Sequence, residues 1–182
     1  MNARLRTMRV VQNSAGDGES ICGVLDGRQL LLAIAGTLRA GSPLIGWARE
    51  LADLHATLIT ASLSATRRPA DFDAAATRDR LTTLTALIDD WSVRHLPRPQ
   101  GTRRHTHSLG EVISHIADAY AQLQWTLRHS ANTIHHHGAA LRFAQIQEGY
   151  TDLVDDIRGL RVTLPLGSSG IIRLSPTTPH TP

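Results

Sequence analysis

The stretch from Thr106 to Leu160 constrains the fold more than any other part of the chain. Leu109, Ile113, Ile116, Tyr120, Leu123 and Leu127 recur at alternating steps of four and three residues. With about 3.6 residues to a helical turn, that spacing keeps them on one stripe, and Val112 widens it. Ser108 suits the cap of this helix, because its hydroxyl can accept from an orphan backbone N–H of the first turn. Glu111 can reach back to the cap N–H and complete a capping box, and its charge suits the positive end of the helix dipole. Glu111, Asp118, Gln122 and His129 fall on the opposite side and read as a solvated face. Phe143, Ile146, Tyr150, Leu153, Ile157 and Leu160 repeat the step pattern. They predict a second long helix starting near Gly138 or Ala139, after a break made by His135-His136-His137-Gly138. Glu148, Asp152 and Asp155 share its far face, an exposed acidic stripe with no fourth ligand for a cation beside it.

Two such helices must bury their stripes against something, and the preceding chain supplies it. Leu30 to Ala35 is an apolar run between Asp26 and Gly36, too short to span a bilayer, and predicts one short buried helix. Ser42 with Pro43 is a strong helix start, and Leu44, Trp47, Leu51, Leu54 and Leu58 form the next stripe, ending around Ser62. His55 lies beside that stripe, at the core edge. After the basic linker Thr66–Pro69, Asp71 or Asp73 can cap a helix carrying Phe72, Ala76, Leu81, Leu84, Ile88 and Trp91. It must stop before Leu96-Pro97, since the residue before proline avoids the helical region. Pro97 to Arg104 reads as a loop. The fold class is therefore all-α: an up-down bundle of four long helices plus one short helix. Arg9–Val11 and Ile21–Leu25 read as a short β-hairpin or an irregular arm over residues 1–26. The bundle is expected over 27–164 and a flexible, Pro- and Thr-rich tail over 165–182.

With 182 residues the chain fits one domain with tails. Apolar residues make up 41% but aromatics only 4%, so aliphatic side chains and alanine must fill the core. The single cysteine, Cys22, excludes an internal disulfide and points to a reducing, cytoplasmic compartment. Residues 1–18 lack the apolar stretch of a signal peptide. All 19 basic residues are arginine, and the net charge of +3 is too modest to imply nucleic acid. Arg67, Arg68, Arg98, Arg103 and Arg104 sit in two loops that could form a patch if they shared one end. No aromatic residues are interleaved with them, and a solvated reading is preferred.

Ten histidines are the chemical oddity. His135 and His137 are candidate metal ligands, but the run 135–137 reads as a loop, whose adjacent residues do not readily converge on one ion. Zinc sites draw on i, i+3 or i, i+4 pairs, and no H-x-x-x-H occurs here. No nucleophile elbow or phosphate-binding loop is present. Asp89-Asp90 and Asp155-Asp156 are adjacent pairs whose side chains diverge by about 100° on a helix, so they read as surface residues. Nothing in the sequence requires a cofactor.

Two resemblances can be placed on these residues. Leu31–Gly36, Pro43–His55, Ile88–Trp91 before Leu96-Pro97, His105–Gly110 and Gly149–Val154 before Leu164-Pro165 resemble, in order and spacing, an actinobacterial family of domains of unknown function. That resemblance implies a cytoplasmic helical protein and brings no activity with it. The chain differs at His107, where the family tends to have glutamate, and at Ser114-His115, where it tends to have Asp-Arg. Ser108–Asp118 is similar to the start of the second helix of DinB-like four-helix metalloenzymes, and this resemblance implies that His115 binds metal. A metal there would need further ligands, and with no histidine or cysteine between Ala139 and Leu160 the candidates are His55, His95 and the run His135–His137. The preferred expectation is an interaction or scaffold module, with a protein partner or self-association, no nucleic acid and no membrane. The second expectation is a metal-dependent helical-bundle enzyme using His115.

Overall fold

The computed structural model describes residues 23–38 and 41–167. Five helices follow one another: α1 (Gly27–Ile34), α2 (Pro43–Leu63), α3 (Ala74–His95), α4 (Leu109–His129) and α5 (Thr133–Arg158). A 3-10 turn, Ala65–Arg67, leads out of α2. Two-residue strands β1 (Arg103–Arg104) and β2 (Val162–Thr163) pair in parallel. The architecture is the expected all-α one of four long helices and one short one.

Each helix starts at a side chain that satisfies an orphan N–H. Asp26 forms a capping box with Gln29, and Ser108 forms one with Glu111. Ser42 accepts from Leu44 N ahead of Pro43, and Asp73, not Asp71, accepts from Ala75 and Ala76. Asn132 caps α5 by accepting from Ile134 N at 2.9 Å. That cap corrects the expected break. His135, His136 and His137 lie inside the first turns of α5, which starts at Thr133 and not at Gly138.

α4 is the central helix, packed against α2, α3 and α5, while α1 lies against α2 and α5. The small residues Gly110, Ala117, Ala119 and Ala121 are buried along α4, letting neighbours approach it on several sides. The rest of the core is aliphatic, with Leu30, Leu44, Leu51, Leu84, Ile88, Leu109 and Ile113 almost wholly enclosed. Tyr150 is buried too, and its hydroxyl donates to the Leu25 carbonyl at 2.7 Å. This bond holds the lead-in to α1 on α5. Gly23–Leu25 is irregular chain with Val24 and Leu25 buried. The remainder of the anticipated hairpin, and the tail beyond Gly167, lie outside the described residues.

Several stripe assignments needed correction. Leu127, near the C-terminal end of α4, and Leu160, past the last residue of α5, are 48% and 50% exposed. Phe72 precedes α3, and Ala76 is exposed on it. The loop after α3 is tied down: Thr163 Oγ1 donates to Pro99 O at 2.7 Å, and Asp156 accepts from Arg103 and Arg161 at 2.8 Å each. The bond from Arg161 is the main reason that the Asp156 carboxyl titrates below its usual range.

Candidate functional site

Three places bring chemistry-bearing side chains together. The first is the junction of α3 with the start of α4. Asp89, expected at the surface, is 1% exposed. Its Oδ1 accepts from Gly110 N at 2.7 Å, so a carboxylate from α3 meets the positive end of α4. The Ser108 hydroxyl also bonds to it. Gly110 is needed here because a Cβ would overlap the Thr85 carbonyl oxygen. Gly167, at φ +68°, approaches the other carboxylate oxygen just as closely. The segments Ile88–Trp91 and His105–Gly110 meet at this junction. It is a packing device that every group in it helps to close.

Burial raises the Asp89 pKa above the usual carboxylate value, and the bonds from Gly110 and Ser108 only partly oppose this. The folded value therefore lies above the unfolded one, which is about 3.9. The group's contribution to stability is complete below the unfolded value and is lost as pH rises through the folded value. Asp89→Asn is thus expected to gain on the wild type as pH rises from about 4 to about 7. Denaturant midpoints of both proteins across that range would read the gap, and a gap independent of pH would contradict the burial.

The second place is the seam between α2 and α4. His55 Nε2 lies 3.0 Å from Ser114 Oγ, and its Nδ1 lies 3.4 Å from Asp118 Oδ1. Gln122 Nε2 donates to the other Asp118 oxygen at 2.7 Å. Asp118 and Gln122 therefore belong to a helix interface, not to the solvated face expected of them. Burial lowers the His55 pKa; Asp118 pulls it back up, and His115 pushes it further down. A Ser–His–Asp order with a neutral imidazole has the connectivity of a nucleophilic triad. Acyl transfer also needs backbone donors aimed at an oxyanion. The N–H groups beside Ser114 are spent in the hydrogen bonds of α4, in the middle of which Ser114 lies. The line works as a polar seam that sets the register of α2 on α4.

His115 is exposed, one residue beyond Ser114, with its ring edge-on to His107 at 5.5 Å between centroids. His135 and His137 lie on α5, well past the His55 seam, and His135 Nδ1 is 3.3 Å from Ser130 Oγ. The structure thus does not bring His115, His55, His135 and His137 together. Among the described residues no three histidine, cysteine, aspartate or glutamate side chains are placed to hold a metal ion. Nor do the loop arginines share an end of the bundle. Arg67 and Arg68 precede α3 and Arg98 to Arg104 follow it, about 33 Å apart at 1.5 Å per residue.

The third place was not foreseen. Between the C-terminal end of α4 and the N-terminal end of α5 lies a groove of about 460 Å³, lined by Leu123, Trp125, His129, Ile134, His135 and Arg142 among others. On the other side of Trp125, a groove of about 350 Å³ runs between α4 and the end of α2, lined by Leu58, Ile59 and Leu63. Trp125 stacks on His129 at 3.9 Å and forms the wall between the two. Leu63 and Ile134 stand 64% and 78% exposed at the outer edges. The sequence held one signal for this surface. Trp125 falls on the same face as Asp118, Gln122 and His129, and a tryptophan inside a polar stripe marks a face that is not simply solvated.

These features define an all-α helical bundle with an open apolar end. No family model, curated protein or solved structure matches the chain. Among the described residues, no helix is long and apolar enough to cross a membrane.

Proposed function

We propose that this protein is a helical-bundle interaction module whose working surface is the pair of grooves flanking Trp125. One observation carries the reading: Leu63 and Ile134, two large aliphatic side chains, stand exposed beside adjoining grooves that share a tryptophan wall. Isolated exposed aliphatics are ordinary, but a contiguous patch around concave apolar surface marks a place where something docks. Tryptophan is also the residue type most enriched among the anchors of protein interfaces. The occupant is another protein or a second copy of the chain.

A photo-crosslinking residue at position 134 tests this in the source cells, with the same residue at exposed position 148 as control. The expected result is a discrete adduct from 134 that is missing from 148. Equal labelling from both positions, or none from 134, would overturn the reading.

A further inference from the structure

The charge around the grooves identifies the kind of partner. The chain carries no carboxylate from Ala119 to Gln147, and none from Leu54 to Ala70. These two segments supply every residue that lines either groove. The ionisable side chains in the lining are Arg142, His129 and His135. The surface therefore mixes apolar side chains with the neutral polar Gln122, Thr126 and Ser130, and its ionisable groups are all basic. We infer that it receives an acidic amphipathic helix from a different protein, its apolar stripe laid against Trp125 and its carboxylates facing Arg142. This rests on the interaction-module reading and adds the chemistry of the partner.

Three observations select that occupant. Helix-in-groove recognition needs anchors spaced i, i+3, i+4 and i+7 along one face. Two grooves side by side across α4, each walled by the same tryptophan, can take successive anchors of one such stripe. The chain's own ends fit poorly by charge. Residues 168–182 contain Arg173 and no carboxylate, and residues 1–22 contain Arg4, Arg6 and Arg9 against Asp17 and Glu19. A second copy fits poorly by shape. Its exposed acidic stripe on α5, Glu148, Asp152 and Asp155, has none of the chain's exposed large apolar residues between the carboxylates. An anionic membrane or a nucleic acid would meet the same basic groups, but neither offers ordered anchors for two adjoining apolar grooves.

The test uses the full chain and two labelled synthetic helical peptides of about 18 residues, long enough to hold helical structure. Both carry leucines at i, i+3, i+4 and i+7 in an alanine-rich background that keeps them helical; one places glutamates and the other lysines at a few positions flanking the leucine stripe. Fluorescence anisotropy is expected to show binding of the glutamate peptide and at least tenfold weaker binding of the lysine peptide. Arg142→Glu should weaken the glutamate peptide at least tenfold, and so should Ile134→Asp. Both positions are exposed, so a matching thermal melt confirms that the fold is kept. Anionic phosphatidylserine vesicles and a single-stranded oligonucleotide are the competing probes. Equal binding of the two peptides, binding of neither, tighter binding of vesicles or oligonucleotide, or no effect of Arg142→Glu would each overturn the proposal. A crosslinked partner at 134 together with failure of the glutamate peptide would sink the acidic-helix inference alone. Loss of both would sink the module reading as well.

Discussion

Gly110→Ala is expected to lower the stability of the protein by about 3 kcal/mol, although alanine is the better helix former by about 1 kcal/mol. The added Cβ would overlap the carbonyl oxygen of Thr85 and come within 2.9 Å of Asp89 Oδ1. Backbone cannot rotate out of the way as a side chain can, so α3 and α4 would have to separate. Separation would also stretch the 2.7 Å bond that Asp89 accepts from Gly110, leaving a buried carboxylate short of a partner. Gly138→Ala is the control. It lies inside α5 with nothing within 4 Å of its Cβ position. There the same substitution is expected to stabilise by up to about 1 kcal/mol. Denaturant midpoints of the two variants should move in opposite directions. A shift of the same sign and size in both would show that helix propensity alone governs glycine in this bundle.

Leu153→Ala is expected to cost about 2–5 kcal/mol, through lost burial and the cavity left behind. Leu153 is 4% exposed on the inner face of α5, beside Tyr150 and Val154. Leu160 belongs to the same sequence stripe but lies beyond the end of α5, where its φ is +55°. Leu160→Ala should therefore stay within about 0.5 kcal/mol of the wild type. Urea unfolding of the pair separates a buried stripe position from one that only looks buried in the sequence. An unchanged midpoint for Leu153→Ala would mean that α5 is docked on another face.

The seam around His55 and the junction around Asp89 have opposite consequences for acid stability. His55 is shifted down by burial, so its contribution is present above the unfolded histidine value and is lost as pH falls through the folded one. Asp89 is shifted up and works the other way. Both groups sit between helices, so each makes the fit of α4 against a neighbour sensitive to protonation. Neither lies among the residues lining the grooves at the far end of α4, where Trp125 stands.

How much of this was legible in the sequence follows from the range of the interactions concerned. Caps and stripes are local. Ser108 and Glu111, Ser42 and Pro43, and the steps of four and three through Leu109 or Phe143 each act within a turn or two of helix. They identified four long helices, one short one and an all-α class. Even the start of α5 had its local signal in Asn132, masked by the histidine run that follows it. Long-range fits had no such signal. Asp89 and Gly110 are 21 residues apart, and His55 and Ser114 are 59 apart. A carboxylate on its own reads as solvated until packing brings it a donor and removes its water. The open end of the bundle was hidden for the same reason. Whether Leu63, Trp125 and Ile134 are covered depends on where α2, α4 and α5 end relative to one another, and the packing of three helices decides that, not the period of any one. The sequence alone thus determined which segments become helices and which faces are apolar. Only the tertiary structure decided which of those faces are closed against each other and which are left for a partner, because burial is a property of neighbours that the local pattern does not contain.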